Sequence, residues 1–255
     1  MKNIELWNGD CLELMKNIPD KSIDMIFTDL PYSTTRCHWD CEVDLDKLWE
    51  QYKRIIKKNG CIALWAQAPF SHILAMSNLD WYRYEWVIEK TKATGHLNAK
   101  KMPMKAHENV MIFGDLDDSP ESIQIFYDKL PTYNPQKTTG HTPVHNYTKH
   151  TTDGECYGDV KIGVSGGGST ERYPRDVLKF KWDTQKSSLH PTQKPIEACE
   201  YFIKTYTGIN DIILDSCMGS ASTGVAAKNL GRKFIGIEKD IDIYEIAVRR
   251  LQYGY

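Results

Sequence analysis

Residues Ile23-Asp24-Met25-Ile26-Phe27-Thr28 form a short run rich in β-branched and aromatic side chains, and it stops at Asp29-Leu30-Pro31-Tyr32. Such a run reads as a buried strand. Pro31 has no N–H to give to a sheet and ends it. The strand therefore delivers a carboxylate, main-chain carbonyls and an aromatic ring to its carboxyl end, where open α/β sheets hold their ligands. Similar apolar runs predict strands at 4–10, 61–65, 81–90, 108–113, 212–215 and 234–238. Between them, helical spacing predicts helices at 11–18, with Leu12, Leu14, Met15 and Ile18 apolar, and from the N-cap Asp44, with Leu45, Leu48, Trp49, Tyr52, Ile55 and Ile56 on one face. Asn59-Gly60 is expected to end that second helix in the left-handed conformation. Further helices are expected at 70–79, after Pro195, through Leu230, and at the end of the chain, with Tyr244, Ala247, Val248 and Leu251 on one face. Alternating strands and amphipathic helices predict an α/β fold with a mostly parallel sheet covered on both faces.

The chain of 255 residues is long enough to bury about 70–75% of its unfolded surface around one core. Its net charge of −2 carries no global signal for a polyanion, so any nucleic-acid contact must come from a local basic surface. No stretch approaches the apolar length of a membrane span, and Met1-Lys2-Asn3-Ile4-Glu5 lacks the apolar core of a signal peptide. The seven cysteines are odd in number and scattered, which points to reduced thiols in a cytoplasmic setting. Cys37, His38 and Cys41 lack the second ligand pair of a zinc site, so no metal is expected.

Residues 115–186 lose apolar periodicity and turn to Gly, Pro, Thr, Tyr and His. A structureless run this long inside a domain points to function, and the segment is read as an inserted recognition lobe, splitting the main domain into 1–114 and 187–255. Its end sets Arg172, Arg175, Lys179, Lys181 and Lys186 among Tyr173, Phe180 and Trp182, and an earlier segment carries Lys90, Lys92, Lys100, Lys101 and Lys105. Cations interleaved with aromatics suit phosphates and stacked bases, although a solvated surface explains most charge runs.

Residues 212–238 lay out a strand ending in Asp215, the small-residue turn Gly219-Ser220-Ala221-Ser222-Thr223-Gly224, a helix, and a strand ending in Glu238. That is the plan of a nucleotide-binding βαβ unit, with Glu238 suited to ribose hydroxyls. The dinucleotide fingerprint is absent. A carboxylate beside the turn would repel a pyrophosphate and attract a cation. S-adenosylmethionine, with adenosine, sulfonium and amino group but no phosphate, fits these constraints.

Asp29-Leu30-Pro31-Tyr32 together with Asp215-Ser216-Cys217-Met218-Gly219-Ser220 resembles the amino-DNA methyltransferases, with the two motifs in the order of that family's β group. His190-Pro191-Thr192-Gln193-Lys194-Pro195 and Arg172-Tyr173-Pro174-Arg175-Asp176-Val177-Leu178 are similar to further motifs of the group. The resemblance implies a Rossmann-like methyltransferase fold. It implies that Asp29, Leu30, Pro31 and Tyr32 hold and stack on the target base. It also implies a cofactor site formed by Asp10, Cys11, Asp29, Thr192, Asp215, Cys217, Gly219, Ser220 and Glu238. Lys90, Lys92, Lys101, Arg172, Arg175, Lys179 and Lys181 are the expected DNA contacts. The implied reaction moves a methyl group from S-adenosylmethionine to adenine N6 in double-stranded DNA, because aspartate leads the tetrapeptide where serine would favour cytosine N4. Cytosine N4, a non-catalytic DNA-binding homologue, and transfer to RNA or a protein glutamine stay open, as do a homodimer and a cognate restriction enzyme. Two residues depart from the family pattern: Leu30 replaces a usual proline and Ala221 a usual loop glycine.

Overall fold

The computed structural model describes residues 3–32, 43–115, 132–148, 165–181 and 193–254. Cys37, His38, Cys41, Lys186 and Thr192, with the expectations placed on them, lie outside the described residues.

In chain order the strands are β1 (Ile4–Asn8), β2 (Ile23–Asp29), β3 (Ile56–Ala66), β4 (Tyr82–Thr94), β5 (Lys105–Phe113), β6 (Tyr147–Thr148), β7 (Ser165–Gly166), β8 (Val177–Phe180), β9 (Ile212–Asp215) and β10 (Lys233–Glu238). The helices are α1 (Cys11–Leu14), α2 (Leu45–Ile55), α3 (Phe70–Ser77), α4 (Ile196–Tyr206), α5 (Ser222–Asn229) and α6 (Ile241–Tyr253). The eight-stranded sheet has the order β1-β10-β9-β2-β3-β5-β4-β8. Strands β1, β10, β9, β2 and β3 are mutually parallel, β5 is antiparallel to both its neighbours, and β8 runs parallel to β4.

The period of two along each strand explains why the sheet needs helices on both faces. Met25, Phe27, Cys61, Ala63, Trp65, Val110, Ile112 and Ile213 point into one core, shared with Ala198, Phe202 and Ala227 of α4 and α5. Their chain neighbours Ile26, Ile62, Leu64, Met111, Phe113 and Leu214 point into the other, with Leu48, Tyr52 and Leu74 of α2 and α3. Each fully buried Leu, Ile or Phe contributes about 1.5–3 kcal/mol, so both faces carry a large share of the folding free energy.

Pro135–Arg175 form a separate compact unit. Within it β6 and β7 pair antiparallel, and a backbone bridge joins Thr138 to Arg172. This unit is narrower than the lobe expected at 115–186. Before it, Asn134 donates its N–H to the Thr205 carbonyl at 2.7 Å, within the large unit. After it, Val177–Phe180 extend the main sheet against β4.

Two local expectations change. Asp44 does cap α2, accepting from the Lys47 N–H at 3.2 Å. The helix, however, stops at Ile55, and Asn59-Gly60 lie inside β3 rather than at a left-handed helix end. The pairing of β2 with β3 shows why: Ile23 faces Ile56 and Met25 faces Cys61, so five residues of β3 answer two of β2. The irregularity carries the chain across Asp24, where Lys57 closes an ion pair at 2.7 Å. Gly60 sits at the crossing; a β-carbon there would lie 2.7 Å from the Ile56 side chain and 2.9 Å from the Asp24 carbonyl oxygen. Gly60→Ala is therefore expected to cost about 1–3 kcal/mol, the usual size of overpacking. A lower denaturant midpoint at unchanged slope would show it; an unmoved midpoint would mean that the crossing relaxes freely.

Candidate active site

The site lies at the carboxyl ends of β2 and β9, which are neighbours in the sheet although 187 residues separate Thr28 from Asp215. Met25 faces Ile213 and Ile26 faces Leu214, so both strands finish at the same rim. The Thr28 hydroxyl donates to Asp215 Oδ1 at 2.5 Å, and the Cys217 N–H donates to both Thr28 Oγ1 and Asp215 Oδ1 at 3.2 Å. The chain after β9 is thereby clamped to the chain before Asp29. Asp215 is only 3% exposed. Burial pushes its carboxyl up to about 7; bonds from Thr28, Thr223 and the Cys217 N–H offset part of that, and the Asp29 charge adds to it.

On the β2 side, Leu30 turns into the core beside α2 and α3. The Tyr32 hydroxyl folds back to donate to Asp29 Oδ1 at 2.7 Å, and its ring stacks on Phe70 with centroids 4.9 Å apart. Lys194 pairs with the other oxygen, Oδ2. On the β9 side, Gly219 has a φ of 51° and open space where a β-carbon would stand. Its N–H donates to Glu238 Oε2 at 3.0 Å, while the Asp240 N–H donates to Oε1 at 2.9 Å. Burial raises the Glu238 carboxyl, offset in part by those two N–H groups. Asp10 caps α1 through the Leu12 N–H at 3.0 Å and meets Lys239 at 3.2 Å. Cys11 and Cys217 pack against the same core, and their mutual interaction pulls the Cys11 thiol down and pushes the Cys217 thiol up. Ser220 is buried, with its carbonyl and hydroxyl held by Arg250 Nη1 at 2.7 and 3.1 Å.

Asp10, Cys11, Asp29, Asp215, Cys217, Gly219, Ser220 and Glu238 thus gather at neighbouring strand ends. Arg250, Phe70, Thr28, Glu108 and Lys194 were not foreseen. Arg250 and Lys194 carried a usable signal, since each is a cation among apolar residues or beside a motif; Phe70 and Thr28 carried none.

The expected DNA contacts separate. Lys90 is a correction: its side chain is 8% exposed and pairs with Glu108 at 2.6 Å, inside the protein rather than on a basic surface. Arg172 spends its guanidinium on the carbonyls of Ser169, Glu171 and Thr142, bracing its own unit. Lys179 pairs with Glu89 at 2.6 Å across exposed surface. Lys92, Lys101, Arg175 and Lys181 are exposed. Lys92 and Lys101 belong to the β4–β5 hairpin. Asp29 is in register with Trp65, Trp65 with Val110 and Val110 with Trp86, so the hairpin continues past the level of Asp29. From Val110 to Lys105 that overhang is roughly 15 Å at the usual strand rise. Its residues 91–107 include Lys92, Lys100, Lys101 and Lys105 and no acid, with Leu97, Met102 and Met104 exposed.

The raised Asp215 carboxyl ties the stability of the fold to pH. Its folded value lies above the ordinary 3.8, so its contribution to stability is complete below about 3.8 and is lost as pH rises towards about 7. Wild type minus Asp215→Asn, measured by thermal unfolding, is expected to fall across that window and level off above it; a flat difference would mean that Asp215 is solvated in the folded protein.

The DNA methylase family model matches residues 23–249. Type II methyltransferase M2.LlaDCHI of Lactococcus lactis subsp. cremoris is 28% identical, over 99% of this chain and 91% of its own length. Type II methyltransferase M.HinfI of Haemophilus influenzae is 26% identical, over 96% and 67%. Among solved structures, the M1.HpyAVI–SAM complex superposes with a TM-score of 0.60 at 21% identity, covering 97% of this chain and 98% of that one. The cytosine-N4-specific PvuII DNA methyltransferase does so with a TM-score of 0.69 at 15% identity, covering 97% and 86%. With the match spanning both strand-end motifs and the sheet between them, the chain belongs to the DNA methylase family, the N6/N4 amino-methyltransferases.

Proposed function

We propose that this chain transfers a methyl group from S-adenosylmethionine to the N6 amino group of adenine in duplex DNA. The observation that carries the reading is the meeting of the Asp29 corner and the Asp215 turn on one rim, with Thr28 bonded to Asp215. The cofactor fits the residues present. Gly219 leaves open space at the turn, Glu238 offers carboxylate oxygens for ribose hydroxyls, and Asp10, Asp29 and Asp215 surround the region with acid that favours a cationic ligand. S-adenosylmethionine supplies a methyl group on a sulfonium whose S–C bond breaks as the N–C bond forms.

The chain's own residues hold the target. An exocyclic amino nitrogen is a poor nucleophile while its lone pair is conjugated with the ring. Asp29 Oδ1 and the carbonyl of Leu30 or Pro31 accept its two hydrogens and set the nitrogen in line, which supplies most of the acceleration. The surplus proton leaves the nitrogen by Asp29 Oδ1 or to water. The base must leave the duplex, at a cost of a few kcal/mol, and stacking on Tyr32, worth about 1–3 kcal/mol, offsets much of that. In doing so the amino group takes the place on Oδ1 that the Tyr32 hydroxyl fills in the structure. The overhanging hairpin grips the phosphates through Lys92, Lys100 and Lys101. Transfer to cytosine N4, the specificity named for the PvuII enzyme, is the nearest rival.

Incubation with plasmid DNA and labelled S-adenosylmethionine, followed by nucleoside analysis, is expected to yield N6-methyladenine. Label in N4-methylcytosine would replace the adenine assignment, and no label in DNA would sink the reading. Asp29→Ala should abolish transfer while cofactor binding persists; Tyr32→Phe, which keeps the ring and frees Oδ1, should stay active, whereas Tyr32→Ala should lose more on duplex than on a mismatched target. Lys92→Ala with Lys101→Ala should weaken DNA binding and flatten its log–log salt dependence by about 0.9 per lost phosphate contact. An unchanged slope would remove the hairpin from the interface.

A further inference from the structure

Behind Asp29 runs a line of alternating buried charges that the transfer chemistry leaves unexplained. Lys194 pairs with Asp29 Oδ2 and lies 3.5 Å from Glu108 Oε2, while Lys90 closes on Glu108 Oε1 at 2.6 Å. The side chains of Lys194 and Glu108 are 11% and 12% exposed. The Lys194 ammonium also stands 5.4 Å from the centre of the Trp65 ring, on the strand paired with β2. Burying such a line costs desolvation that apolar residues of similar volume would not, so its presence at a ligand-binding rim calls for a reason beyond stability.

The two oxygens of Asp29 have different partners. Oδ2 meets an ammonium, which carries donors only. Oδ1 meets the Tyr32 hydroxyl, a group that can swing away with its ring. One oxygen is thus anchored from inside the protein and the other faces an exchangeable partner.

Resting on the reading of Asp29 given above, we propose that Lys194 is a positioning residue for methyl transfer: seated by Glu108 and Lys90, it pins Asp29 Oδ2 and so presents Oδ1 to the target amino group. Lys194 and Glu108 support each other's charge. Burial pulls the Lys194 ammonium down, and the charges of Asp29 and Glu108 more than restore it. Burial pushes the Glu108 carboxyl up, and Lys194 and Lys90 hold it below its ordinary value. Lys194 is therefore already protonated and does not take the amino proton; its charge keeps Asp29 an acceptor. The groups facing Asp29 are Lys194, the Tyr32 hydroxyl and the charge of Asp215, with Glu108 behind Lys194. Without Lys194, Asp29 loses its cation and keeps the acidic groups of Asp215 and Glu108 near it.

The test uses the full chain with Lys194→Met, Lys194→Arg and Glu108→Gln, beside Asp29→Ala, in single-turnover methylation of duplex DNA across pH, with cofactor and DNA affinities measured separately. Lys194→Met is expected to slow transfer by about a hundredfold, the penalty of a misplaced reacting group, with both affinities within about twofold of wild type. The acid limb of its pH–rate profile should move to higher pH. Lys194→Arg should recover part of the rate, and Glu108→Gln should move the acid limb in the same direction by less. A loss of packing alone would lower the melting temperature without moving that limb. Should Lys194→Met fail to fold, Glu108→Gln and Lys194→Arg carry the same readout. An unmoved acid limb, or a Lys194→Met rate within about threefold of wild type, overturns the positioning role while an inactive Asp29→Ala leaves the site's function standing. An active Asp29→Ala instead overturns the reading of the site, and this proposal with it.

Discussion

The hydrogen bond from Thr28 to Asp215 is the contact on which the rest of the site depends. It joins the last turns of two parallel strands that lie far apart in sequence, and it exists because β9 inserts between β10 and β2 in the sheet. A strand order that parted β9 from β2 would move the Asp29 corner away from the small-residue turn. The bond has a consequence for charge. It draws a buried carboxyl close to Asp29, whose charge adds to the rise that burial gives Asp215. The two acids are compensated unequally: Asp29 pairs with Lys194, whereas the donors to Asp215 among the described residues are the neutral Thr28, Thr223 and Cys217 N–H. A cationic ligand entering between them would complete the compensation.

Much of the fold is legible from sequence because strand and helix periods differ so clearly here. The runs at 23–28 and 212–215 alternate between two cores, so almost every position is apolar, and both lie where expected. The strand ends at Asp29, Asp215 and Glu238 are legible for the same reason: an acid that closes an apolar run is conspicuous. Strand length was less readable. Ile56–Ala66 and Tyr82–Thr94 run well past their apolar stretches, because a strand that leaves the core keeps its backbone pairing but no longer needs buried side chains. Asn59-Gly60 misled for a related reason, since the pair that commonly ends helices also serves where a strand must cross another backbone closely.

The basic residues were the least legible. A lysine's surroundings are set by tertiary contacts, and nothing local separates Lys90, sealed against Glu108, from Lys92, two positions on and exposed. Both residues stand on β4, and what separates them is distance along the strand from the core. Lys194 was similarly hidden. Its motif points through Thr192 to a cofactor segment, whereas in the structure its ammonium reaches the Asp29 carboxylate, a contact made by a side chain distant in sequence from Asp29.

The departures at Leu30 and Ala221 show how the site tolerates unusual residues. Leu30 is 2% exposed and packs between β2 and the helices of its face, so apolar burial restrains a corner that a ring would otherwise stiffen. Ala221 takes the left-handed conformation, with φ 58°, which costs a residue with a β-carbon roughly 1–2 kcal/mol. Its methyl group is fully buried in the core formed with α4 and α5, and its N–H donates to the Met218 carbonyl at 2.7 Å. That burial, about 0.8 kcal/mol for one methyl-sized group, and the hydrogen bond offset the strain. The methyl group also stands inside the protein rather than in the open space beside Gly219, so the turn stays open at the glycine whose N–H meets Glu238. Substitution on the core side of such a turn is a packing problem; on the open side it would be a binding problem.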